Sequence, residues 1–311
     1  MYRDERERNC VRQRLEFWGY SLLEKIICSL PGESLPLFAK QLAILTFHVL
    51  RIRRNVSLQN LQIAFPEKSS AWRQNIAFRS YHHFALVILE FMKMRCWKPA
   101  KIRKLIVSSN IKIVLRALKE EKGAILVSGH FGNWEIGMAY LYTLEIKSSV
   151  IQQRQKNRLI NQRMKQLREQ WGMKIIYPRG AVNRCVKELQ NGKAVAILGD
   201  QDAGKRGVFV PFFGRLSSTH VGAAMLHLKT GAPLFFAAPA RLPDGHYEVN
   251  FYPLPHFYPG EITQEILQKV TALHTAQLES AVHRYPEQYF WMHRRWKTSP
   301  PGKHRPQENL A

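Results

Sequence analysis

The chain has 311 residues and a mass of 36.2 kDa, which is enough for one large or two moderate domains with a buried core. With 45% hydrophobic and 11% aromatic residues, its composition is that of a packed globular protein and excludes a disordered acidic chain, a collagen-like or coiled-coil protein and a disulfide-rich scaffold. The 47 Lys and Arg residues outnumber the 23 Asp and Glu residues, and the resulting net charge of +24 predicts a polyanionic partner, either nucleic acid or an anionic membrane surface.

The N-terminal segment 1–14 has mixed charge and no apolar core. We therefore expect no cleavable secretory signal and a chain that stays in the cytoplasm. The cysteines contain no C-x-x-C pair, which predicts reduced thiols and argues against a zinc site. They are Cys10, Cys28, Cys96 and Cys185.

Two amphipathic helices are predicted over residues 15–30 and 35–50, because apolar side chains recur there at helical spacing. The second segment contains Lys40, Gln41 and His48 and is shorter than the roughly 18–20 residues that cross a bilayer, so we interpret it as interfacial. Basic residues bracket the two helices, namely Arg12, Arg14, Arg51, Arg53 and Arg54. This arrangement is typical of helices that lie on anionic lipid, but a helical subdomain packed on the core shows the same pattern.

A third helix is predicted over residues 70–94, after the break at Pro66 and the helix-start signal Ser69-Ser70. Together the three helices predict a helical, membrane-associating region over residues 1–119. This region is expected to precede a domain of a different class.

Beyond about residue 120, short apolar runs alternate with helical segments, which predicts an α/β domain over residues 120–298. The predicted strands cover residues 124–128, 149–152, 174–177, 194–198, 233–239 and 247–252. The predicted helices cover residues 133–144, 157–171, 181–190, 220–230 and 263–283. The remaining residues, 299–311, contain three prolines and are expected to form a flexible tail.

The most informative segment is 124–135, a buried-strand run that ends in a glycine-flanked turn and opens a helix. His130 lies at the carboxyl end of the predicted strand, where open α/β sheets bind their ligands. Glu135 falls in the first turn of the helix, so we expect its carboxylate to contact His130 and fix the imidazole tautomer. This pair predicts a general base, although a capped helix with an incidental histidine would give the same letters.

No nucleophilic side chain is required by this interpretation. Ser128 lacks the glycines of a G-x-S-x-G elbow, and no H-E-x-x-H spacing indicates zinc. The nucleophile is then a substrate hydroxyl. Gly129 and Gly132 allow backbone N–H groups to approach a reacting carbonyl, where they would stabilise an oxyanion.

The segment His130-Phe-Gly-Asn-Trp-Glu135 resembles the H-x-x-x-x-D/E signature of the lysophospholipid acyltransferase superfamily. Five further segments resemble the bacterial lipid A late acyltransferases, so that the resemblance covers nearly the whole chain. They are residues 60–67, 199–204, 207–214, 230–233 and 286–297. The resemblance implies a glycerolipid acyltransferase-like fold, in which helices flank a mixed sheet.

The resemblance also implies an activity. Members of this family transfer an acyl chain from an acyl carrier protein thioester to a hydroxyl of a Kdo-bearing lipid A precursor, at the cytoplasmic face of the bacterial inner membrane. His130 and Glu135 match the family's catalytic dyad, with His130 as the base and no covalent acyl-enzyme. No cofactor is expected, and acyl-coenzyme A is an alternative co-substrate. Family members often carry one membrane-spanning helix, for which this chain offers only residues 35–50.

Residues 151–180 hold eight basic residues against one acidic residue. One interpretation is that they bind lipid phosphates or the acidic face of a carrier protein. The other is that they form a solvated helix face. Arg154 and Asn157 resemble an R-x-x-N element that lies near the substrate in the family. The complete set of predicted substrate-binding residues is Gly132, Asn133, Arg154, Asn157, Arg179, Asp200, Gln201, Asp202 and Arg206.

Asp200 and Asp202 form a D-x-D that is also found in metal-dependent transferases. We expect them instead to accept backbone hydrogen bonds in a glycine-rich loop after the strand 194–198, and we expect no metal.

Two alternative functions remain open. The first is acyl transfer to another membrane phospholipid or glycolipid, such as a phosphatidylinositol mannoside. The second is nucleic-acid binding, which the net charge of +24 and the interleaved basic and aromatic residues 293–297 suggest. Because no recognised nucleic-acid-binding module is present, we expect no nucleic-acid partner.

Overall fold

A computed structural model describes residues 2–108, 110–120, 123–258 and 261–301 of the chain. The helices are α1 (Tyr2–Ser29), α2 (Leu35–Ile44), α3 (Arg54–Ala64), α4 (Ser70–Lys93), α5 (Pro99–Leu105), α6 (Lys112–Lys119), α7 (Trp134–Thr143), α8 (Arg158–Gln170), α9 (Ala181–Gln190), α10 (Gly222–Thr230) and α11 (Gln264–Arg284). The strands are β1 (Ile106–Val107), β2 (Ala124–Ser128), β3 (Ser148–Ile151), β4 (Met173–Ile176), β5 (Ala194–Leu198), β6 (Val208–Phe212), β7 (Arg215–Thr219), β8 (Leu234–Arg241) and β9 (Tyr247–Pro253).

Seven strands form one sheet in the order β1-β9-β8-β2-β5-β3-β4, and β6 and β7 form a separate antiparallel hairpin. The five strands from β8 to β4 are parallel to one another, whereas β9 runs antiparallel to β8. The predicted α/β class with a mixed sheet flanked by helices is therefore confirmed.

Alternate side chains of the central strand β2 enter two different cores. Ile125 and Val127 pack with the helices α9, α10 and α11 on one face, and Ala124 and Leu126 pack with α5, α6 and α7 on the other. A parallel strand that is buried on both faces consists almost entirely of apolar residues. This is why the sequence predicts β2 and β5 with the bounds that the structure gives.

The sequence did not predict the hairpin β6–β7 or the short elements α3, α5, α6 and β1. The strand β7 is mostly polar and lacks the continuous apolar run that marks β2, and the apolar run of β6 is interrupted by Pro211, which argues against a strand. The predicted tail, 299–311, lies largely outside the described residues, which end at residue 301.

The helix α1 has an unusual distribution of side chains. Its inner face carries the carboxylate of Glu24, which is 2% exposed and forms an ion pair with Arg163 on α8. Its outer face carries Leu15, Trp18 and Leu22, which are 67%, 74% and 61% exposed. The predicted helix is present, and the face that packs on the protein carries the apolar side chain of Ile27 as well as the buried carboxylate of Glu24.

A disulfide joins Cys28, near the end of α1, to Cys96, just after α4, with 6.0 Å between the two Cα atoms. The prediction of reduced thiols is wrong for this pair, and Cys10 and Cys185 are free. The two bonded cysteines are 68 positions apart, and they meet because the end of α1 packs beside the end of α4. No local spacing in the sequence indicates such a contact.

Among the described residues, no single helix is both long and apolar enough to cross a membrane. Gly32–Val49 and α3 pass that test together on length and composition, and they meet at an angle of 92°.

Candidate active site

His130 lies in the turn between β2 and α7, at the carboxyl edge of the sheet. Because β2 is parallel to β5 and β8, the carboxyl ends of all three strands meet at this edge. The imidazole ring lies beside the rings of Trp134 and Phe290, with centroid distances of 5.0 and 6.0 Å. Its side chain is 22% exposed, so the ring remains accessible to solvent.

The partner of the imidazole is Asp200, which follows β5. The Nδ1 atom of His130 donates to Oδ1 of Asp200 at 2.8 Å, and the backbone N–H of His130 donates to Oδ2 at 2.9 Å. Both carboxylate oxygens therefore hold the same residue. With its proton on Nδ1, the neutral ring keeps a free lone pair on Nε2.

The electrostatics of the pair follow from this contact. Burial alone raises the pKa of Asp200, but the charge of His130 and its two hydrogen bonds, with a contribution from Arg295, lower it to about 2. Burial alone lowers the pKa of His130, but the charge of Asp200, the hydrogen bond to it and the charge of Glu135 raise it above its usual value. The imidazole is thus a stronger base than a solvated histidine.

The predicted contact between His130 and Glu135 is wrong, because the hydrogen bonds of the Glu135 carboxylate go elsewhere. Its Oε2 atom accepts from Nε of Arg168 at 3.1 Å, its Oε1 atom accepts from Nη2 of Arg168, and Nε1 of Trp134 donates to Oε1 at 3.1 Å. Arg168 comes from α8, 33 positions along the chain, and a local H-x-x-x-x-E pattern does not reveal it. Glu135 acts on His130 through its charge alone.

Gly132 and Asn133 shape the turn that carries His130. Gly132 has φ +57°, and a Cβ atom there would lie 1.7 Å from the carbonyl oxygen of Pro239, so only glycine fits. Its N–H donates to the carbonyl of Gln288 at 2.9 Å and is already used within the protein. The predicted role of Gly132 in substrate or oxyanion binding is therefore corrected to a conformational one.

Asn133 is completely buried and caps α7, because its Oδ1 atom accepts from the N–H of Ile136 at 3.1 Å. Its Nδ2 atom donates to Glu90 at 2.8 Å. Both ends of the amide are occupied, so the predicted contact with substrate is replaced by a capping role. His83 supports the same turn by a hydrogen bond of 3.0 Å between its Nε2 atom and the carbonyl of Gly132.

The two residues of the predicted R-x-x-N element have different environments, Arg154 on the surface and Asn157 at the start of α8. Arg154 is exposed, and its guanidinium lies 4.5 Å from the ring centroid of Tyr177. Asn157 is buried, caps α8, and donates through Nδ2 to the carbonyl of Gln13 and to Glu16 on α1, both at 2.9 Å. Arg154 is accessible to a ligand, whereas Asn157 is committed to the junction of α1 and α8.

Arg179 and Arg206 are also exposed. Arg179 follows β4 at the same edge of the sheet as His130, and Arg206 lies in the short helical turn after Asp202. Gln201 is half-buried in that loop. These side chains keep their predicted binding role as a hypothesis.

Asp202 holds the loop together by accepting hydrogen bonds, as we expected from the glycine-rich sequence around it. Its carboxylate accepts from the N–H of Gly204 at 3.2 Å and from the N–H and hydroxyl of Thr298 at 3.1 and 2.9 Å. Its own N–H donates to Nε2 of His293 at 2.9 Å. Among the described residues, no group of three or more His, Cys, Asp or Glu side chains is arranged to bind a metal ion.

Residues 286–298, which we call the C-terminal brace, contact both loops of the site. The N–H of Phe290 donates to the carbonyl of His130 at 3.0 Å, and His293 and Thr298 hold Asp202. Within the segment 293–297 that suggested nucleic-acid binding, Arg295 and Trp296 are 1% and 9% exposed. The brace therefore serves the interior of the protein and does not present a basic, aromatic surface.

Sequence reasoning missed Asp200 as the partner of His130, although it listed Asp200 among the binding residues. A signal was present, because Asp200 lies two residues after the end of the buried strand β5, just as His130 lies two residues after the end of β2. Adjacency of β2 and β5 in the sheet places these two ends together. Chemically, the arrangement provides an oriented, accessible base at the edge of the sheet.

Comparisons with known proteins agree on one family. A family model described as bacterial lipid A biosynthesis acyltransferase matches residues 5–298. The lipid A biosynthesis palmitoleoyltransferase of Escherichia coli (strain K12) is 26% identical over 82% of each chain, and the lauroyltransferase of the same strain is 27% identical over 83% of each. A phosphatidylinositol mannoside acyltransferase of Mycobacterium tuberculosis (strain ATCC 25618 / H37Rv) is 30% identical over 38% of this chain and 39% of its own. The family match includes both His130 and Asp200.

Proposed function

Because the chain belongs to the bacterial lipid A biosynthesis acyltransferase family, we propose that it moves a fatty acyl chain from an acyl carrier protein thioester to a hydroxyl of a Kdo-bearing lipid A precursor. The observation that carries the proposal is the pairing of His130 with Asp200 at the carboxyl edge of the sheet, with Nε2 left free. This is the geometry that general-base activation of a hydroxyl needs.

In the proposed reaction, Nε2 of His130 takes the proton of the acceptor hydroxyl while that oxygen attacks the thioester carbonyl. The C–O bond forms, the C–S bond breaks, and the proton passes from the imidazolium to the departing thiolate. Asp200 keeps the Nδ1 proton in place and stabilises the imidazolium by its charge. Glu135 adds a second negative charge near the ring, and no covalent acyl-enzyme is needed.

Exposed basic residues at the same edge support an anionic donor or acceptor. Arg154 follows β3, which lies beside β5 in the sheet, and Arg179 follows β4, the next strand out. Both guanidiniums are suited to phosphate groups of a lipid or to acidic side chains of a carrier protein. Acyl-coenzyme A is the alternative donor, and the two donors are separated by supplying each one with the same acyl chain.

The proposed location is the cytoplasmic face of the bacterial inner membrane, with attachment through the first two helices. Leu15, Trp18 and Leu22 on α1 are exposed, as are Leu37 on α2 and Val49 in the turn that continues it. We call these five side chains the apolar outer face. Arg51 and Arg53, also exposed, lie just beyond it and complement an anionic lipid surface.

The decisive experiment measures acyl transfer by the purified protein and by His130→Ala. We expect transfer from the carrier-protein thioester to the lipid A precursor, and a loss of at least about 100-fold in the variant, since positioned general bases contribute about 10² to 10⁴. Circular dichroism and thermal unfolding of the variant serve as folding controls. Near-normal turnover by a folded His130→Ala protein would contradict the mechanism.

The similarity to phosphatidylinositol mannoside acyltransferases supports a second acceptor class. Mass spectrometry of lipid A from cells that lack the gene distinguishes the two. A missing secondary acyl chain supports the lipid A precursor as acceptor, and an unchanged lipid A with an altered phospholipid or glycolipid supports the alternative.

A further inference from the structure

The C-terminal brace contains a buried guanidinium that the reaction described above leaves unused. Arg295 is 1% exposed and lies 5.2 Å above the ring centroid of Phe212. Its Nη1 atom donates to the carbonyl of Ser218 at 2.8 Å and its Nη2 atom to the hydroxyl of Thr219 at 2.6 Å. Its Nε atom is buried without a hydrogen-bond partner, and no carboxylate among the described residues forms an ion pair with it.

The atoms that Arg295 binds lie next to the loop that carries Asp200. Thr219, at the end of β7, pairs through its backbone with Asp202, two residues after Asp200. The same stretch of the brace fastens Asp202 from both sides of Arg295, through His293 and Thr298. Arg295 therefore occupies the centre of a set of contacts that determines where the Asp200 loop lies.

A guanidinium with no ion-pair partner is costly to bury, because its charge loses hydration and gains no salt bridge in return. Such a group persists where a nearby buried anion offsets its charge. Asp200 is 4% exposed and meets this requirement, and the positive charge of Arg295 acts on it through the protein interior.

We propose that Arg295 is a positioning residue for the His130–Asp200 pair, which holds the Asp200 loop against β7 and places a buried positive charge beside that loop. The inference rests on the proposed role of His130 as the base. It extends that role to a residue on a third segment of the chain, whose hydrogen bonds go to Ser218 and Thr219 and not to His130.

The proposal predicts how the pair titrates. His130 and Asp200 interact strongly and take up protons as a coupled unit, so removal of a nearby positive charge raises the pH at which the pair becomes protonated. Other charged or titratable groups also face the pair and remain in place in an Arg295 variant. They are Glu135 on α7, His220 before α10, His274 on α11, and Tyr289 and His293 on the brace.

The experiment compares Arg295→Met with Arg295→Lys and with Arg294→Met in the full-length protein. Arg294 is exposed, so its variant makes the same change of charge one residue away without touching the interior. The readout is the rate at which diethyl pyrocarbonate modifies His130 as a function of pH, followed by mass spectrometry of the His130 peptide. His283, whose side chain is 55% exposed, provides an internal reference in the same digest.

For Arg295→Met we expect the midpoint of His130 modification to rise by roughly half a pH unit or more, which is less than the roughly 1–3 units of a charge in direct contact, because Arg295 forms no ion pair with Asp200. Arg294→Met and the His283 reference should not move, and Arg295→Lys should keep the wild-type midpoint because it keeps the charge. Unmoved midpoints in a folded Arg295→Met protein would overturn the proposal. If Arg295→Met does not fold, a raised midpoint in Arg295→Lys equally contradicts it.

This readout involves no acyl transfer, so it separates the two hypotheses. A protein that transfers no acyl group but shows the shifted midpoint contradicts the proposed function and keeps the assignment of Arg295. Normal transfer with unshifted midpoints does the reverse.

Discussion

The carboxyl edge of the sheet buries charged side chains, and the apolar outer face of α1 and α2 exposes apolar ones. Both regions are the reverse of the usual distribution of side chains. At the sheet edge, Asp200, Glu135 and Arg295 are buried and charged. On the outer face, Leu15 and Trp18 are exposed and apolar. Soluble proteins usually bury apolar groups and solvate charged ones, so each departure needs a compensating partner.

The two regions differ in where the compensation is found. The two buried carboxylates at the sheet edge have charged partners within the chain, Arg168 for Glu135 and His130 for Asp200. Among the residues that the structure describes, the exposed apolar side chains have no such partner, which is why we propose that they contact a lipid surface. Internal compensation alone does not mark a reaction site, because the buried pair of Glu24 and Arg163 has it too; the sheet edge differs in that its buried carboxylate holds an imidazole that is accessible to solvent.

The sharpest test of the sheet edge compares its two carboxylates. We expect Asp200→Asn to lower the turnover by about 10² to 10⁴, because the imidazole loses the group that fixes its tautomer and stabilises its charge. Glu135→Gln should lower the turnover much less, because it removes a charge that raises the pKa of His130 from a distance and leaves the two hydrogen bonds of Asp200 to His130 in place. Steady-state kinetics of both variants on the same donor and acceptor provide the measurement.

Thermal unfolding of the same two variants shows whether a loss of turnover comes from a loss of stability. Glu135→Gln leaves Arg168 buried without a charged partner, and breaking a buried pair costs about 3–5 kcal/mol when one partner is removed completely. A larger kinetic loss for Glu135→Gln than for Asp200→Asn, in folded proteins, would favour the predicted dyad over the pair that the structure contains.

The sequence predicted the position of His130 but not its partner. The strand that precedes it is a continuous apolar run and the turn is rich in glycine, and both signals are local. Asp200 lies 70 positions away, and the buried cation Arg295 lies further still, so their meeting depends on the order of the strands and on the path of the brace. Apolar periodicity also predicted α1 correctly as a helix, but periodicity does not tell which face of a helix is outside.

Buried neutral histidines around the site predict a pH-dependent stability. Burial lowers the pKa of His83 and that of His274 to about 4, below the usual value of 6.5. The unfolded chain therefore binds these protons first, and the free energy of unfolding should fall as the pH drops from about 6.5 towards 4, by roughly 2–3 kcal/mol for each histidine. Urea denaturation at several pH values measures this slope.

The matched variants are His274→Gln and His283→Gln. The first replaces a buried imidazole and should flatten the slope, whereas the second replaces an exposed one and should leave it unchanged. Equal slopes for His274→Gln and the wild type would show that His274 does not resist protonation in the folded state.

A smaller effect is expected on the outer face. Trp18→Ser should weaken binding to anionic lipid vesicles about tenfold or more, because a large apolar side chain contributes roughly 1.5–3 kcal/mol when it leaves water. Val107→Ser is the control, since Val107 is also exposed and apolar but lies on β1, at the edge of the sheet. Vesicle flotation of both variants checks the expectation, and equal losses would argue against a specific lipid-binding face on α1.

The smallest effect concerns Asn157, which joins the two regions. Its Oδ1 atom caps α8, and its Nδ2 atom donates to Gln13 and Glu16 on α1. Asn157→Asp keeps the capping oxygen but loses the donor and places a second carboxylate beside Glu16. Asn157→Ala loses both functions, and the loss of the cap should cost about 1 kcal/mol.

Hydrogen exchange resolves these two functions. Amides of α1 should exchange faster in both variants, whereas the first turn of α8 should exchange faster only in Asn157→Ala. Turnover should change little in either, because Asn157 is buried away from solvent and its amide is fully used within the protein. A raised KM for the acceptor in both variants, with unchanged exchange in α1, would instead place Asn157 at the substrate, as its resemblance to the R-x-x-N element implies. The two outcomes require different positions of α1 during the reaction, because a substrate can reach Asn157 only if α1 moves away from α8.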